Sequence, residues 1–433
     1  MAAITTLLGD GARARGHGPL LPVSCARVLS DANVSDFSLP EPDADALAHS
    51  DRLSTAIRAE MAASEGRAVA FSRFMELALY APGLGYYSAG ASKFGDEGDF
   101  VTAPELGPIF AACVADSVAP VLQQLGAGEA PLPSVFLELG GGTGAFAEVA
   151  LKRLLELDTL PDRYAILEPS AQLRQRQRER LQQRLTPPLF ELVEWLDGPL
   201  AHDWNGVLFA NEVIDALPTP RFAIQHGEVY EEHVVIDGGH FARVLRPADA
   251  FLGNAVRHVE HRLERQLDEG YRSEVLPQLP YWIQAVSGGL QRGAMLFVDY
   301  GYPRGEYYQR DRSDGTLRAF YRHRMHNDPL LYPGLQDLTA SVDFTALAEA
   351  GVAAGFDFAG YCSQASFLLG NGLAGVLARI ERIDDAAERQ RRSNEVKRLT
   401  LPSEMGERFQ VMGFEKGVEF GVAFLAGDLS FRL

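Results

Sequence analysis

The sequence is poor in cysteine and has no long apolar run. Its three cysteines, Cys25, Cys113 and Cys362, are far apart and lack the spacing of metal ligands. They indicate a reducing compartment without a disulfide framework. No apolar run approaches the length of a transmembrane helix, so we expect no membrane insertion.

Basic residues are also scarce. Lys and Arg number 40 against 58 Asp and Glu, which gives a net charge of 40 − 58 = −18. An acidic surface repels phosphate backbones, so a nucleic-acid partner is not expected. The charge is compatible with a cationic peptide or protein as partner, although acidity often only confers solubility. Nothing in the sequence specifies an oligomeric state.

The stretch 134–145, Ser-Val-Phe-Leu-Glu-Leu-Gly-Gly-Gly-Thr-Gly-Ala, carries the strongest signal. Its apolar start predicts a buried strand that stops at Glu138, and helical text follows from Ala145. A strand, a glycine turn and a helix are typical of a nucleotide-type site in an open α/β sheet. The glycines that allow the tight turn and a close approach of a ligand are Gly140, Gly142 and Gly144.

Two ligands are compatible with this turn. The segment 142–147 matches a dinucleotide fingerprint, which would bind a nicotinamide cofactor. The alternative pattern starts at Gly140, adds Glu138 at the strand end, and continues to Glu168, which closes the next apolar strand and could accept ribose hydroxyls. This second pattern resembles the S-adenosylmethionine-dependent methyltransferases. It predicts S-adenosylmethionine as cofactor, bound by Glu138, Gly140, Gly142, Gly144, Glu168 and Asn211.

Several longer stretches of the sequence carry a more specific resemblance. They are 85–87, 94–95, 98–106, 211–218, 299–301, 315–324, 336–340 and 342–344. These stretches resemble one family, the mitochondrial complex I assembly-factor methyltransferases and their bacterial relatives, and the resemblance covers roughly residues 50–430. It implies a protein arginine methyltransferase acting on a subunit of respiratory complex I, located in the cytoplasm of a bacterium or in the mitochondrial matrix.

The expected fold is α/β, a Rossmann-like seven-stranded methyltransferase sheet with an N-terminal helical cap and an inserted lid. Within it, we predict a third strand at 190–195, a hairpin around Asp237-Gly-Gly and a late edge strand at 409–414. The predicted parts are a disordered extension at 1–50, a cap with a cofactor-covering loop at 51–125, and a methyltransferase domain at 126–433 with an insertion at about 221–292.

Two acids are candidate catalytic residues. A guanidinium is fully protonated near neutral pH, so carboxylates must orient it and redistribute its charge before it can attack a methyl group. Glu212 and Asp215 follow a predicted strand and are three residues apart, and a turn could aim both inward. A structural or cofactor-contacting role is the alternative for Glu212, and capping of the next turn is the alternative for Asp215.

The segment 321–326, Tyr-Arg-His-Arg-Met-His, is unusual in its cations and imidazoles. Two histidines do not make a metal site, so no metal is expected. A loop that closes over the acidic pocket, with Asp337 and Asp343 as partners, and a plain surface loop remain open. Two rival functions also remain: an assembly chaperone that keeps the cofactor fold, and a nicotinamide-dependent oxidoreductase.

Overall fold

A computed structural model describes residues 39–88, 102–127 and 131–433. Most of the predicted N-terminal extension and most of the predicted cofactor-covering loop lie outside these residues. The first described helix begins at Ala44, inside the range predicted to be disordered, where Asp43 caps it by accepting a hydrogen bond from the Ala46 amide.

The elements are numbered here in chain order. The strands are β1 (Val69–Ala70), β2 (Ser134–Leu139), β3 (Arg163–Leu167), β4 (Val193–Leu196), β5 (Trp204–Asn211), β6 (Arg221–Gln225), β7 (Glu228–Asp237), β8 (His240–Pro247), β9 (Arg272–Glu274), β10 (Leu290–Tyr302), β11 (Arg318–Tyr321), β12 (Arg324–His326), β13 (Asp337–Thr339), β14 (Val342–Asp343), β15 (Asp357–Ser363) and β16 (Phe409–Lys416). The helices are α1 (Ala44–Ala63), α2 (Phe71–Tyr80), α3 (Ala103–Leu106), α4 (Ile109–Gly126), α5 (Ala145–Glu156), α6 (Ala171–Arg184), α7 (Pro187–Phe190), α8 (Ala250–Arg262), α9 (Leu279–Ser287), α10 (Arg304–Tyr307), α11 (Phe344–Ala353), α12 (Gln364–Leu368), α13 (Ala374–Ile380) and α14 (Ala386–Thr400).

The central sheet confirms the predicted Rossmann-like architecture. Seven strands lie in the order β15-β16-β10-β5-β2-β3-β4, and β14 pairs with the far end of β10. In this sheet β4, β3, β2, β5 and β10 run parallel to one another, whereas β16 is antiparallel to both of its neighbours. The prediction of an edge strand at 409–414 was wrong, because β16 lies between β10 and β15. Hydrophobic periodicity shows that a strand is buried, but not which strands flank it.

Helices cover both faces of this sheet. Helices α4 and α5 lie in one apolar core, and α9 and α11 lie in the other. By length and composition, α4 could cross a membrane, with a mean hydropathy of 1.3, so the expectation that no run approaches this length was wrong. Twelve of its residues are buried in the protein, and it packs on α5 and β5, which is the behaviour of a core helix.

A second sheet packs against helix α2. Its order is β1-β7-β6-β9, with β8 paired to β7. The predicted hairpin is confirmed: Asp237 pairs with His240 across Gly238 and Gly239, whose φ values are 53° and 87°. Four strands of this sheet, β6 to β9, fall within the predicted insertion at 221–292, whereas β1 belongs to the N-terminal part of the chain. Helix α9, also within 221–292, packs on the central sheet through Trp282 and Ile283.

The segment 321–326 is a hairpin and not a loop. It joins β11 to β12, and β13 pairs with the other side of β11. Its turn residues Arg322 and His323 have φ values of 47° and 61°. Asp343 is not a partner of this hairpin, because its carboxylate accepts hydrogen bonds from Arg304 (3.2 Å) and from the Ala346 amide in the first turn of α11 (3.0 Å).

Smaller differences concern where elements start and stop. The predicted third strand at 190–195 begins later, at Val193, because two prolines start the short helix α7 instead. The helical segment after Thr102 is broken at Gly107, where an added Cβ would lie 2.1 Å from the Glu395 side chain. The region 368–399 consists of separate helices, with a break near Asp384.

Candidate active site

A cavity of about 850 Å³ lies beyond the carboxyl ends of β2, β3, β5 and β10. This is where ligands bind in open α/β sheets. The structure brings together the predicted site residues along its wall: Glu138, Gly140, Gly142, Glu168, Asn211, Glu212 and Asp215. Gly144 does not line the cavity, but it starts α5 with a φ of 83°.

The glycine turn leaves space for a ligand. Gly142 has a φ of 53°, and a Cβ added there would meet no atom within 4 Å. The turn is held from behind by Gln177, which donates to the Gly142 carbonyl (2.9 Å) and accepts from the Trp195 indole (2.8 Å). Sequence reasoning missed Gln177. Gln177 could have been found from its spacing with Leu173 and Leu181, because this spacing places the three side chains on the buried face of the arginine-rich helix α6.

Two buried carboxylates lie at the same end of the cavity. Glu138 is 3% exposed and accepts a hydrogen bond from the Tyr164 hydroxyl (2.8 Å). Glu168 accepts from the Ser170 amide (2.9 Å) and from Gln177 (3.4 Å). Burial raises the pKa of Glu138 to about 8 and the pKa of Glu168 to about 7. Both groups therefore favour a ligand that donates hydrogen bonds or carries positive charge.

The raised pKa of Glu138 predicts a stability effect. The folded protein holds this proton more tightly than the unfolded chain, so the free energy of unfolding falls as pH rises from 4.5 to about 8. We expect Glu138→Gln to increase the free energy of unfolding at pH 8 by about 1–3 kcal/mol, with a smaller gain at pH 5.5. Urea denaturation at both pH values measures this, and Glu407→Gln, an exposed carboxyl at the cavity rim, is the control. Equal increases in the free energy of unfolding at both pH values would show that ionisation of Glu138 is not their cause.

The other end of the cavity is built by the turn after β5. Glu212 has a φ of 54°, and the Asn211 side-chain amide donates to its carboxylate (2.9 Å). The Tyr300 hydroxyl donates to Asp215 (2.7 Å). Asp299, at the end of β10, holds the turn by accepting from the amides of Ile214 (3.0 Å) and Asp215 (3.3 Å). The predicted turn that aims both candidate acids inward is therefore present.

These acids form a concentration of carboxyl groups, of which Asp215 and Asp299 are buried and Glu212 is half-buried. Burial, with the nearby Asp215, raises the pKa of Glu212 to about 8, and burial raises the pKa of Asp215 to about 6. The pKa of Asp299 is raised well above its usual range, again mainly by burial. Within the described part of the chain, no Lys or Arg forms an ion pair with these three carboxylates, and Asp215 Oδ1 is buried without a hydrogen-bond partner. This end of the cavity is therefore suited to a cation.

Metal binding has no support in the described ranges. They contain no group of three or more His, Cys, Asp and Glu side chains that could hold a metal ion. His326 is half-buried, and burial lowers its pKa.

The sheet order, the glycine turn and the acids at the strand ends define the class of an S-adenosylmethionine-dependent methyltransferase. Residues 113–362 match a family described as "Putative S-adenosyl-L-methionine-dependent methyltransferase", and the chain belongs to this family. The chain is similar to a Burkholderia thailandensis protein whose crystal structure contains S-adenosyl-homocysteine, with 43% identity and a TM-score of 0.83. The match covers 92% of this chain and 100% of that protein.

Two curated relatives are more distant. The Drosophila melanogaster protein named protein arginine methyltransferase NDUFAF7 homolog, mitochondrial, is 28% identical over 384 residues, 80% of this chain and 81% of that protein. The Mus musculus NDUFAF7 is 27% identical over 377 residues, 79% of each. The recognised family and the S-adenosylmethionine cofactor are thus confirmed, and the nicotinamide alternative is unsupported. The roles of the individual site residues stay predictions.

Proposed function

We propose that this methyltransferase transfers a methyl group to an arginine of a protein substrate, and that a subunit of respiratory complex I is the substrate. The observation that carries the proposal is the buried acidic end of the cavity, formed by Glu212, Asp215 and Asp299. A cationic acceptor would offset the mutual repulsion of these carboxylates. The names of the distant relatives, protein arginine methyltransferases, support the same acceptor.

The opposite end of the cavity fits the cofactor. The open space beside Gly142 admits a ligand against the backbone, and Glu168 is placed at the end of β3, where ribose hydroxyls are accepted in such sheets. Glu138 and the Asn211 amide supply further polar contacts between the two ends. When bound, S-adenosylmethionine supplies an electrophilic methyl group on a sulfonium.

At the acidic end, Glu212 and Asp215 would hold the guanidinium by charge-assisted hydrogen bonds and fix its direction. Formation of the new N–C bond requires the bond between the methyl carbon and the sulfonium sulfur to break, with S-adenosylhomocysteine as the leaving group, and it requires the attacking nitrogen to lose a proton. The Glu212 carboxylate is the proposed acceptor of that proton. Its pKa of about 8 in the ligand-free protein is near neutral, which suits a general base. Asp299 and Tyr300 position the turn and Asp215.

The test is a methylation reaction with purified protein, S-adenosylmethionine and a preparation of complex I subunits. We expect mass spectrometry to find methyl groups on arginine side chains of one subunit. A reaction without protein should yield none. Methyl groups found only on lysine, on carboxyl side chains or on a small molecule would overturn the proposed acceptor, while leaving the methyltransferase class intact.

A further inference from the structure

A further acid reaches the cavity from outside the methyltransferase sheet. Asp337 starts β13, is 2% exposed and lines the cavity wall. Immediately after this strand, the Ala340 amide donates to the Asp215 carbonyl (2.9 Å). The small sheet that carries Asp337 is therefore hydrogen-bonded directly to the turn that carries the candidate catalytic acids.

Two tyrosines from the N-terminal cap complete this part of the wall. The Tyr87 hydroxyl donates to Asp337 (2.9 Å), and the Tyr80 hydroxyl donates to the Ala216 carbonyl (2.8 Å). Their rings stack with centroids 5.5 Å apart and planes at 19°. Burial keeps the pKa of both hydroxyls well above the usual range, so both tyrosines remain neutral donors.

The chain is built to hold Tyr87 at this position. A Cβ on Gly85 would lie 2.5 Å from the Ala81 amide nitrogen, so only glycine fits in the turn after α2. The turn allows the Tyr87 amide to donate to the Leu79 carbonyl (2.8 Å), which fixes the backbone of the tyrosine. The position of Asp337 is thus determined on two sides, by the cap and by the turn at Asp215.

We propose that Asp337 is an acceptor-binding residue which, with the aromatic pair Tyr80 and Tyr87, selects a guanidinium over an ammonium. The inference rests on the proposed function and deepens it. A guanidinium is planar, stacks on aromatic faces and offers five N–H donors in a fixed fork, so it can bind carboxylates from separate elements at once. An ammonium is a compact and strongly hydrated charge with three donors, and it gains less from such a site.

The carboxyl groups of Asp337 and Glu212 are close enough for their charges to repel each other. The charge of Asp337 contributes to the raised pKa of Glu212, after the larger effects of burial and Asp215. A single cationic acceptor would therefore relieve repulsion among carboxylates from two different elements. This gives the separate sheet of β11, β12 and β13 a function beside the acceptor end of the cavity.

The experiment is calorimetric titration of protein saturated with S-adenosylhomocysteine. The probes are an acetylated Gly-Gly-Arg-Gly-Gly peptide and the same peptide with lysine. Wild type should bind the arginine peptide at least about 10-fold more tightly than the lysine peptide. Asp337→Asn should reduce this preference to about twofold or less. Tyr87→Phe, which keeps the ring and removes the hydroxyl, should weaken arginine binding by about threefold.

The affinity for S-adenosylhomocysteine, measured without peptide, shows whether each variant is folded. Asp337→Glu should restore part of the preference, which a merely structural role would not predict. If Asp337→Asn keeps the wild-type preference, the inference is overturned and the proposed acceptor stands. If wild type binds both peptides equally or neither, the proposed arginine acceptor and this inference fail together.

Discussion

Replacing Glu212 with glutamine should lower the rate of methyl transfer by about 100- to 1,000-fold. The change keeps the shape of the side chain, but it removes the carboxylate that we assign as the proton acceptor. The affinity for S-adenosylmethionine should stay within about threefold of wild type, since the cofactor end of the cavity is built by other residues. Single-turnover rates and calorimetric titration measure the two quantities separately.

The pH dependence gives this prediction a second readout. Glu212 has a pKa of about 8 in the ligand-free protein, so its ionised fraction grows as pH rises from 6 to about 8. The wild-type kcat/KM should therefore increase over this range, and the residual rate of the variant should change little. The control is Glu407→Gln, an exposed carboxyl on the cavity rim. A variant with the full rate of methyl transfer would show that a group other than Glu212 is the base.

Replacing Gly142 with valine should weaken binding of S-adenosylmethionine by at least about 100-fold. The φ of 53° is unfavourable for a β-branched residue, and the new side chain would project into the part of the cavity that we assign to the cofactor. Calorimetric titration with S-adenosylmethionine and S-adenosylhomocysteine provides the measurement. Both ligands should lose affinity together.

The matched control for this variant is Gly238→Val. Gly238 has the same φ of 53° and open space around its Cβ position, but it lies in the hairpin turn between β7 and β8. The Gly238→Val variant therefore has the same unfavourable backbone conformation, but its new side chain does not reach the cavity. If Gly238→Val lost as much affinity as Gly142→Val, the loss would come from destabilisation, and the assignment of the glycine turn to the cofactor would be wrong.

The cofactor end could be predicted from the sequence because its signals are local. Glu138, Glu168 and Asn211 each stand at or next to the end of an apolar run. Parallel strands bring such ends to one edge of the sheet, so three separate positions in the chain predict one site. The same reasoning predicts that Glu212 and Asp215 lie at this edge of the sheet, and the structure has both on the cavity wall.

The acceptor wall could not be predicted in the same way. Tyr87 and Asp337 are 250 residues apart, and no local pattern connects them. The sheet that carries Asp337 depends on a hairpin whose turn residues are Arg322 and His323. Turns with positive φ are usually signalled by Asn or Gly, so the sequence resembled a charged loop. The interior position of the antiparallel strand β16 could not be predicted from local sequence either, because the order of the strands depends on the whole sheet.

The interior position of β16 has a consequence for biosynthesis. The backbone groups of β10 that face β16 can all find their partners only after residue 416 has been translated, although the glycine turn ends at Gly144, 416 − 144 = 272 residues earlier. Until then, β10 presents a long unpaired edge, which is a hazard for aggregation. The pairing of Tyr300 with Phe409 also completes the support behind Asp215. The nascent chain therefore acquires its finished acceptor site only after β16 has been translated, and truncations that remove β16 should yield an inactive, aggregating product.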